Sequence, residues 1–111
     1  MNISKQDLLR INHGFRGNLR SDSSLDFAFR KIEDSKIGIY KQLAYLLRAI
    51  LVDNPFSDGN KRTAMFVVFA LAKENKKKVN RDLLIYQLTS IAKNNIQEIR
   101  NIEWRIKSAI K

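Results

Sequence analysis

One segment of the chain carries the residue types that could do chemistry, and it reads Asp53-Asn54-Pro55-Phe56-Ser57-Asp58-Gly59-Asn60-Lys61-Arg62-Thr63. It is a polar loop containing a glycine that runs directly into a strongly apolar segment with a helical pattern. Backbone N–H groups at a helix start have no partners inside the helix, and the helix dipole attracts anions toward them. The backbone of Gly59, Asn60 and Lys61 is therefore a candidate phosphate site.

Charged side chains at the same helix start favour this interpretation. Lys61 and Arg62 add two positive charges, and an arginine can hold phosphate oxygens in a fork. Asp58 offers carboxylate oxygens next to the anion site, as a Mg²⁺ ion that bridges two phosphates requires. Pro55 and Phe56 are expected to anchor the loop. The same residues also fit a plain helix cap, in which Asp58 caps the helix and the two cations face solvent.

Composition limits the class of protein. The chain has 111 residues, 44% hydrophobic and 29% charged, so we expect residues 1–111 to form a single domain with its own core. The absence of cysteine excludes disulfide scaffolds, cysteine nucleophiles and cysteine-based zinc sites. No apolar run reaches the ~18 residues of a membrane span, and the first residues lack the apolar core of a secretory signal. We therefore expect a cytoplasmic protein that does not contact membranes.

The formal net charge is +10, and most of the excess lies after residue 55. A strongly basic surface favours an anionic partner such as a nucleotide, a nucleic acid or an acidic protein. The run Lys76-Lys77-Lys78 is interpreted here as a solvated loop rather than a binding patch.

Apolar residues recur at three- and four-residue steps, which predicts α-helices throughout the chain. We predict an all-α bundle of about six helices. Residues 60–73 form its central buried helix in this prediction, because their apolar side chains cover every face. The first helix is predicted to be capped by Ser4 together with Asp7, and the second by Ser21 or Asp22. The third helix is predicted to be capped by Ser35 and to end before Pro55. The fifth is predicted to begin at Asn80 or Arg81-Asp82 and to end at Asn94-Asn95.

The segment Asn54–Ala64, NPFSDGNKRTA, resembles the motif of the Fic/Doc (Fido) family, His-x-Phe-x-Asp/Glu-Gly-Asn-Gly/Lys-Arg. It is most similar to the Doc-like, or death-on-curing, branch, in which the motif commonly continues Lys-Arg-Thr-Ala. The lengths and order of the predicted helices are similar to that branch over nearly the whole chain. The resemblance implies the all-α Fic/Doc-like fold and a cytoplasmic transferase of a toxin–antitoxin pair.

Members of the family transfer AMP, or in the Doc branch a phosphate, from a nucleotide to a hydroxyl of a target protein. The resemblance implies ATP or another nucleotide with Mg²⁺ as cofactors, and a Ser, Thr or Tyr of a protein as target. Asp58 would be the Mg²⁺ ligand, the backbone of Gly59 to Lys61 the anion nest, and Arg62 a phosphate ligand. The AMP-transferring members usually have Gly at the position of Lys61 and a second Arg at that of Met65, so phosphate transfer is the favoured reaction.

The sequence departs from the family at Asn54, where the motif has its catalytic histidine. That histidine removes the proton from the target hydroxyl, and an amide has no useful basicity near neutral pH. Losing a positioned base typically costs ~10²–10⁴-fold in rate. The chain is then a natural pseudoenzyme, a weak enzyme or an inactivated form of a toxic one. Asp53 is a candidate substitute base, and His13 a more remote one that we expect to be a surface or capping residue.

Two further expectations concern partners. Active members of the family are restrained by an inhibitory helix with a Ser/Thr-x-x-x-Glu pattern, which is not found here, so restraint would come from a partner chain such as an antitoxin. The alternative function is a catalytically inactive, basic helical module that binds a nucleic acid or a protein. Nucleic acid is the less favoured partner because no helix-turn-helix spacing is evident.

Overall fold

A computed structural model of the chain describes all residues from 1 to 111 and confirms the all-α class. The six helices are α1 (Lys5–Gly14), α2 (Ser23–Ile32), α3 (Ile39–Leu51), α4 (Asn60–Glu74), α5 (Arg81–Lys93) and α6 (Ile99–Ala109). None of them is long and apolar enough to cross a membrane.

Two helices begin as their local sequence predicts. At α1, Ser4 and Asp7 form a capping box: the Asp7 N–H donates to Ser4 Oγ (3.1 Å) and the Ser4 N–H donates to Asp7 Oδ2 (3.0 Å). At α5, the Leu83 N–H donates to Asn80 Oδ1 at 3.1 Å. These caps pair backbone donors that the first turn of a helix leaves free.

Asp22 is the N-cap residue of α2, as predicted, whereas the predicted cap of α3 is wrong. Asp22 precedes α2, but its carboxylate accepts from Lys5 Nζ at 3.2 Å and makes no cap hydrogen bond. The helix α3 begins at Ile39 after Gly38, three residues later than a cap at Ser35 would imply. The cause is a turn at Asp34, whose carboxylate accepts the N–H of Lys36 at 3.0 Å and keeps the chain non-helical there.

The core is built around α3, which packs against α2, α4, α5 and α6. Its fully buried residues include Leu43, Leu46, Leu47 and Ile50. This corrects the prediction that residues 60–73 are the central helix.

The helix α4 is buried along one stripe only. Ala64, Val67, Val68 and Leu71 face the core at helical spacing. The opposite face is open, because Phe66 and Phe69 remain 48% and 37% exposed. The apolar side chains of α4 therefore divide between one stripe that packs in the core and one face that is exposed to solvent.

Two isolated antiparallel bridges hold the long connections in place. Leu19 pairs with Phe56, which ties the segment after α1 to the loop before α4. Val79 pairs with Ile110, which ties the connection between α4 and α5 to the residues that follow α6. The first bridge positions the candidate site described next.

Candidate functional site

Pro55 and Phe56, both of which are buried, anchor the loop between α3 and α4 to the protein interior. Phe56 is 1% exposed and belongs to the main core. The main chain around them is paired with the segment after α1: the Arg20 N–H donates to Pro55 O at 2.8 Å and the Ser57 N–H donates to Asn18 O at 2.8 Å. The loop is therefore held by backbone pairing as well as by an aromatic anchor.

The side chain of Asn60 closes the loop on itself. Asn60 Oδ1 accepts the N–H of Phe56 at 3.2 Å, and Asn60 Nδ2 donates to the carbonyl oxygen of Phe56 at 3.0 Å. An amide side chain is suited to this reciprocal pair because it carries both a donor and an acceptor. The Asn60 side chain is thus used within the loop, and only its backbone N–H is free to meet a ligand.

Gly59 turns the chain into α4 with a left-handed conformation, φ +73°. A Cβ at this position would lie 3.0 Å from Phe15 Cβ and 3.1 Å from the Phe15 carbonyl oxygen. Both the backbone angle and the close approach therefore favour glycine. No side chain caps α4, so the backbone N–H groups of its first three residues make no hydrogen bond within the protein.

The free backbone donors lie at a cleft of about 470 Å³. Its lining consists of Phe15, Ser57, Asp58, Gly59, Asn60, Lys61 and Arg62. Lys61 and Arg62 are exposed and form no ion pair. Two unneutralised cations and the positive end of a 15-residue helix make this cleft attractive to an anion.

Asp58 changes the donor set that the sequence led us to expect. Its Oδ1 accepts the N–H of Gly59 at 2.7 Å, so this N–H is occupied and the free donors are those of Asn60, Lys61 and Arg62. The second carboxylate oxygen of Asp58 has no hydrogen-bond partner in the protein. The chain has no group of three or more His, Cys, Asp or Glu residues suited to holding a metal. Asp58 is therefore a single carboxylate at the cleft, with one oxygen left free of hydrogen bonds within the protein.

Asn54 and Asp53 do not line this cleft. Both are exposed, and Asn54 has φ +46° with one long hydrogen bond, from Nδ2 to the carbonyl oxygen of Val52 at 3.4 Å. Asn and His are among the residues that tolerate this left-handed conformation best. The backbone conformation at position 54 is therefore one that histidine also adopts more often than most residues.

His13 does not line the cleft either. It is exposed near the end of α1 and lines a different cavity with Asn12, Gly17 and Asn18. The expectation that His13 is a surface residue at the end of a helix is confirmed.

Sequence reasoning missed Asn12, which supports the loop from α1. Asn12 is 1% exposed, and its Nδ2 donates to the Asp58 carbonyl oxygen (2.9 Å) and to Thr63 Oγ1 (3.1 Å). Asn12 lies four residues after buried Leu8, on the core face of α1. The sequence did contain a signal for this role, because Asn12 is a polar residue at a core position of α1. A buried amide needs hydrogen-bond partners elsewhere in the protein.

A second cavity of about 550 Å³ adjoins the first and shares Phe15, Lys61 and Arg62 with it. Its remaining walls are Met65, Phe66, Phe69, Arg81 and Ile85. Phe15 and Phe66 meet edge to face with ring centroids 6.4 Å apart. The cationic cleft therefore continues into an apolar groove along the open face of α4.

Comparison with known proteins places this arrangement in a family. A model of the Fic/DOC family matches residues 3–72, which is more than half of the chain and runs from before α1 into the last turns of α4. No curated protein and no solved structure matches the chain. The matched span contains the loop, the cleft and the buried asparagine beneath them, and the chain belongs to the Fic/DOC family.

Proposed function

We propose that this chain is a Doc-like Fic domain that holds a nucleotide and Mg²⁺ in the cleft at the start of α4. Its reaction is transfer of a phosphate to a Ser, Thr or Tyr hydroxyl of a cytoplasmic target protein, weakened at Asn54. The observation that carries the proposal is the convergence of Lys61, Arg62 and the free backbone donors of Asn60, Lys61 and Arg62 on one open cleft.

Each cleft residue has a defined task in this proposal. The backbone donors of α4 bind a phosphate group, and Arg62 holds its oxygens in a fork. Lys61 contributes a mobile point charge. Asp58 is the protein ligand of Mg²⁺, which would neutralise phosphate charge and orient the nucleotide. The apolar groove next to the cleft can take a less polar part of the nucleotide.

Two residues favour the Doc-like branch and phosphate transfer over AMP transfer. Lys61 occupies the motif position at which AMP-transferring members usually have glycine, and it lines the cleft. Met65 occupies the position of their second arginine and lines the apolar groove instead. A thioether cannot neutralise phosphate charge, so the two cations of this site are Lys61 and Arg62 rather than two arginines.

The weak point of the proposed enzyme is proton removal. At the position of the family's general base, the exposed amide of Asn54 can donate or accept a hydrogen bond but cannot accept a proton near neutral pH. Phosphoryl transfer has a loose transition state that asks little of the nucleophile, so the loss falls toward the lower end of ~10²–10⁴-fold. Asp53 is exposed next to it and remains a candidate substitute base.

The proposal extends to the rest of the chain and to its regulation. Residues 73–111 complete a single domain with the matched part, because α6 packs against α3 and α5 packs against α4. A separate partner chain such as an antitoxin would restrain the active form.

Calorimetric titration of MgATP into the protein tests the binding step. Arg62→Ala should weaken the binding, and Asp58→Asn should lower its dependence on Mg²⁺. Arg10→Ala is the matched control, because the Arg10 side chain is 78% exposed on α1 and does not line the cleft. Equal affinities of the Arg62→Ala and unmodified chains, or no binding of any nucleotide at millimolar concentration, would contradict the proposal.

A further inference from the structure

The lysine-rich connection between α4 and α5 meets the residues after α6. The N–H of Lys111 donates to the Lys78 carbonyl oxygen at 2.7 Å, and the N–H of Lys78 donates to the Lys111 carbonyl oxygen at 3.3 Å. Next to this pair, Val79 bridges Ile110. Lys78 and Lys111 are therefore directly opposite each other in an antiparallel pair, and their side chains leave the same face.

Composition alone favoured a solvated loop at Lys76-Lys77-Lys78, but in the fold these lysines meet Lys111 and are not neutralised within the protein. Lys76, Lys77, Lys78 and Lys111 are exposed and form no ion pair. The nearest acidic residues along the chain, Glu74 and Asp82, form none either. Like charges directly opposite on paired strands are destabilising, so this arrangement costs stability that an anion would restore.

The backbone at the same place adds a second cost. Lys76 has φ +57° and follows the end of α4, a position at which glycine or asparagine is strongly preferred. A lysine there strains the backbone by roughly 1–2 kcal/mol. The strained backbone of Lys76 and the repulsion between Lys78 and Lys111 are thus two separate costs of the cations in this segment.

The helix that leads into Lys111 carries an exposed aromatic residue. Trp104 is 68% exposed on α6, one helical turn before Lys107. The helix α6 ends at Ala109, and Lys111 follows two residues later in the antiparallel pair with Lys78. Exposed aromatic faces beside lysines are the surface on which single-stranded nucleic acids stack their bases.

We propose that Lys76, Lys77, Lys78 and Lys111, together with Trp104, form a binding surface for single-stranded nucleic acid. The lysines contact the phosphate backbone, and a base stacks on Trp104. Lysines are flexible point charges, so we expect no sequence preference. The surface lies at the C-terminal end of α4, about 22 Å from the cleft at its start. It does not depend on the proposed transferase activity.

Titration of a fluorescently labelled oligothymidylate with the full chain tests this surface. The charge-reversed variant Lys77→Glu/Lys78→Glu is compared with Arg10→Glu/Lys93→Glu, which has the same net charge but exposed substitutions elsewhere. We expect at least ~tenfold weaker binding for the first variant only. For this variant, the slope of the logarithm of the binding constant against the logarithm of the salt concentration should be less steep by about 1.4. Two phosphate contacts are lost, and each contributes ~0.7 to the slope on a single strand.

Trp104 is the one tryptophan of the chain, so its fluorescence reports stacking directly. We expect the oligonucleotide to quench this fluorescence and polyglutamate not to. Trp104→Ala should weaken binding while leaving the salt dependence unchanged. Equal losses in the two charge-reversed variants, or polyglutamate binding as tightly as the oligonucleotide without quenching, would overturn the proposal.

Discussion

Asn12 donates a hydrogen bond of 2.9 Å to the carbonyl oxygen of Asp58, 46 residues further along the chain. The same amide nitrogen donates to Thr63 Oγ1 in the first turn of α4. One buried side chain of α1 thus fixes both the residue before the glycine turn and the helix that follows it. The conformation of the cleft therefore depends in part on a contact from outside the loop's own sequence.

Replacement of this asparagine should loosen the cleft and lower stability. Asn12→Ala leaves the Asp58 carbonyl and the Thr63 hydroxyl without their donor in a buried place, which typically costs 1–3 kcal/mol. Chemical denaturation measures the loss. Asn18→Ala is the matched control, since the Asn18 side chain is exposed and makes no hydrogen bond. Equal free energies of unfolding for the two variants would contradict the assigned role of Asn12.

Glycine at position 17 is required by space. A Cβ there would collide with Asn12 Oδ1 and with the Asp58 carbonyl oxygen. We expect Gly17→Ala to lower the free energy of unfolding by about 1–3 kcal/mol, because backbone and a buried amide must move. Gly14→Ala should be close to neutral, since a Cβ at Gly14 meets nothing within 4 Å. Thermal melting of both variants checks the difference, and equal melting temperatures would contradict it.

The capping box of α1 should make stability depend on pH in the acid range. The hydrogen bond from the Ser4 N–H holds the pKa of Asp7 below its usual value, and Ser4 Oγ and Arg10 act in the same direction. A lowered pKa in the folded state means that the carboxylate stabilises the fold above the usual Asp pKa of about 3.9. This contribution is lost as the pH falls through the lowered value.

Melting curves of the unmodified chain and of Asp7→Asn check this dependence. The difference between their melting temperatures should be constant near neutral pH and should shrink steadily below about pH 4. A difference that stays constant down to pH 2 would show that the Asp7 charge does not contribute. Asp34→Asn, at an exposed turn outside the helices, is the comparison variant.

The sequence correctly predicted the starts of the two helices whose capping hydrogen bonds join residues close together in the chain. Ser4 with Asp7 and Asn80 with Leu83 are separated by only three residues, so their geometry follows from the sequence. The start of α3 was missed because the turn at Asp34 competes with a cap at Ser35. The exposure of Phe66 was missed because periodicity alone cannot say how many neighbours surround an apolar helix.

The candidate site was predictable in part for the same reason. The motif predicted which residues approach the helix start, since the loop and α4 are consecutive in sequence. The hydrogen bond that occupies the Gly59 N–H depends on the Asp58 rotamer, and the support from Asn12 joins residues that are distant in sequence. Neither relationship leaves a pattern in a single sequence.

Restoring a base at position 54 should raise transfer activity. Asn54→His supplies a proton acceptor on a backbone conformation that histidine tolerates, so we expect a gain of ~10²–10⁴-fold without loss of stability. The measurement is mass spectrometry of cellular proteins for added phosphate or AMP after expression of each form. Asn54→Ala should match the unmodified chain. Equal modification by the Asn54 and His forms would mean that another group, such as Asp53, removes the proton.

The central claim is that the start of α4 binds the phosphates of a nucleotide, and backbone amide chemical shifts test it most directly. In a ¹⁵N-labelled chain titrated with MgATP, we predict that the largest shifts fall on the amides of Asn60, Lys61 and Arg62, which have no acceptor within the protein. The shifts should saturate with ATP and be smaller for Arg62→Ala. Unchanged amides at these three residues while shifts appear elsewhere, for example at Lys76 to Lys78, would contradict the account.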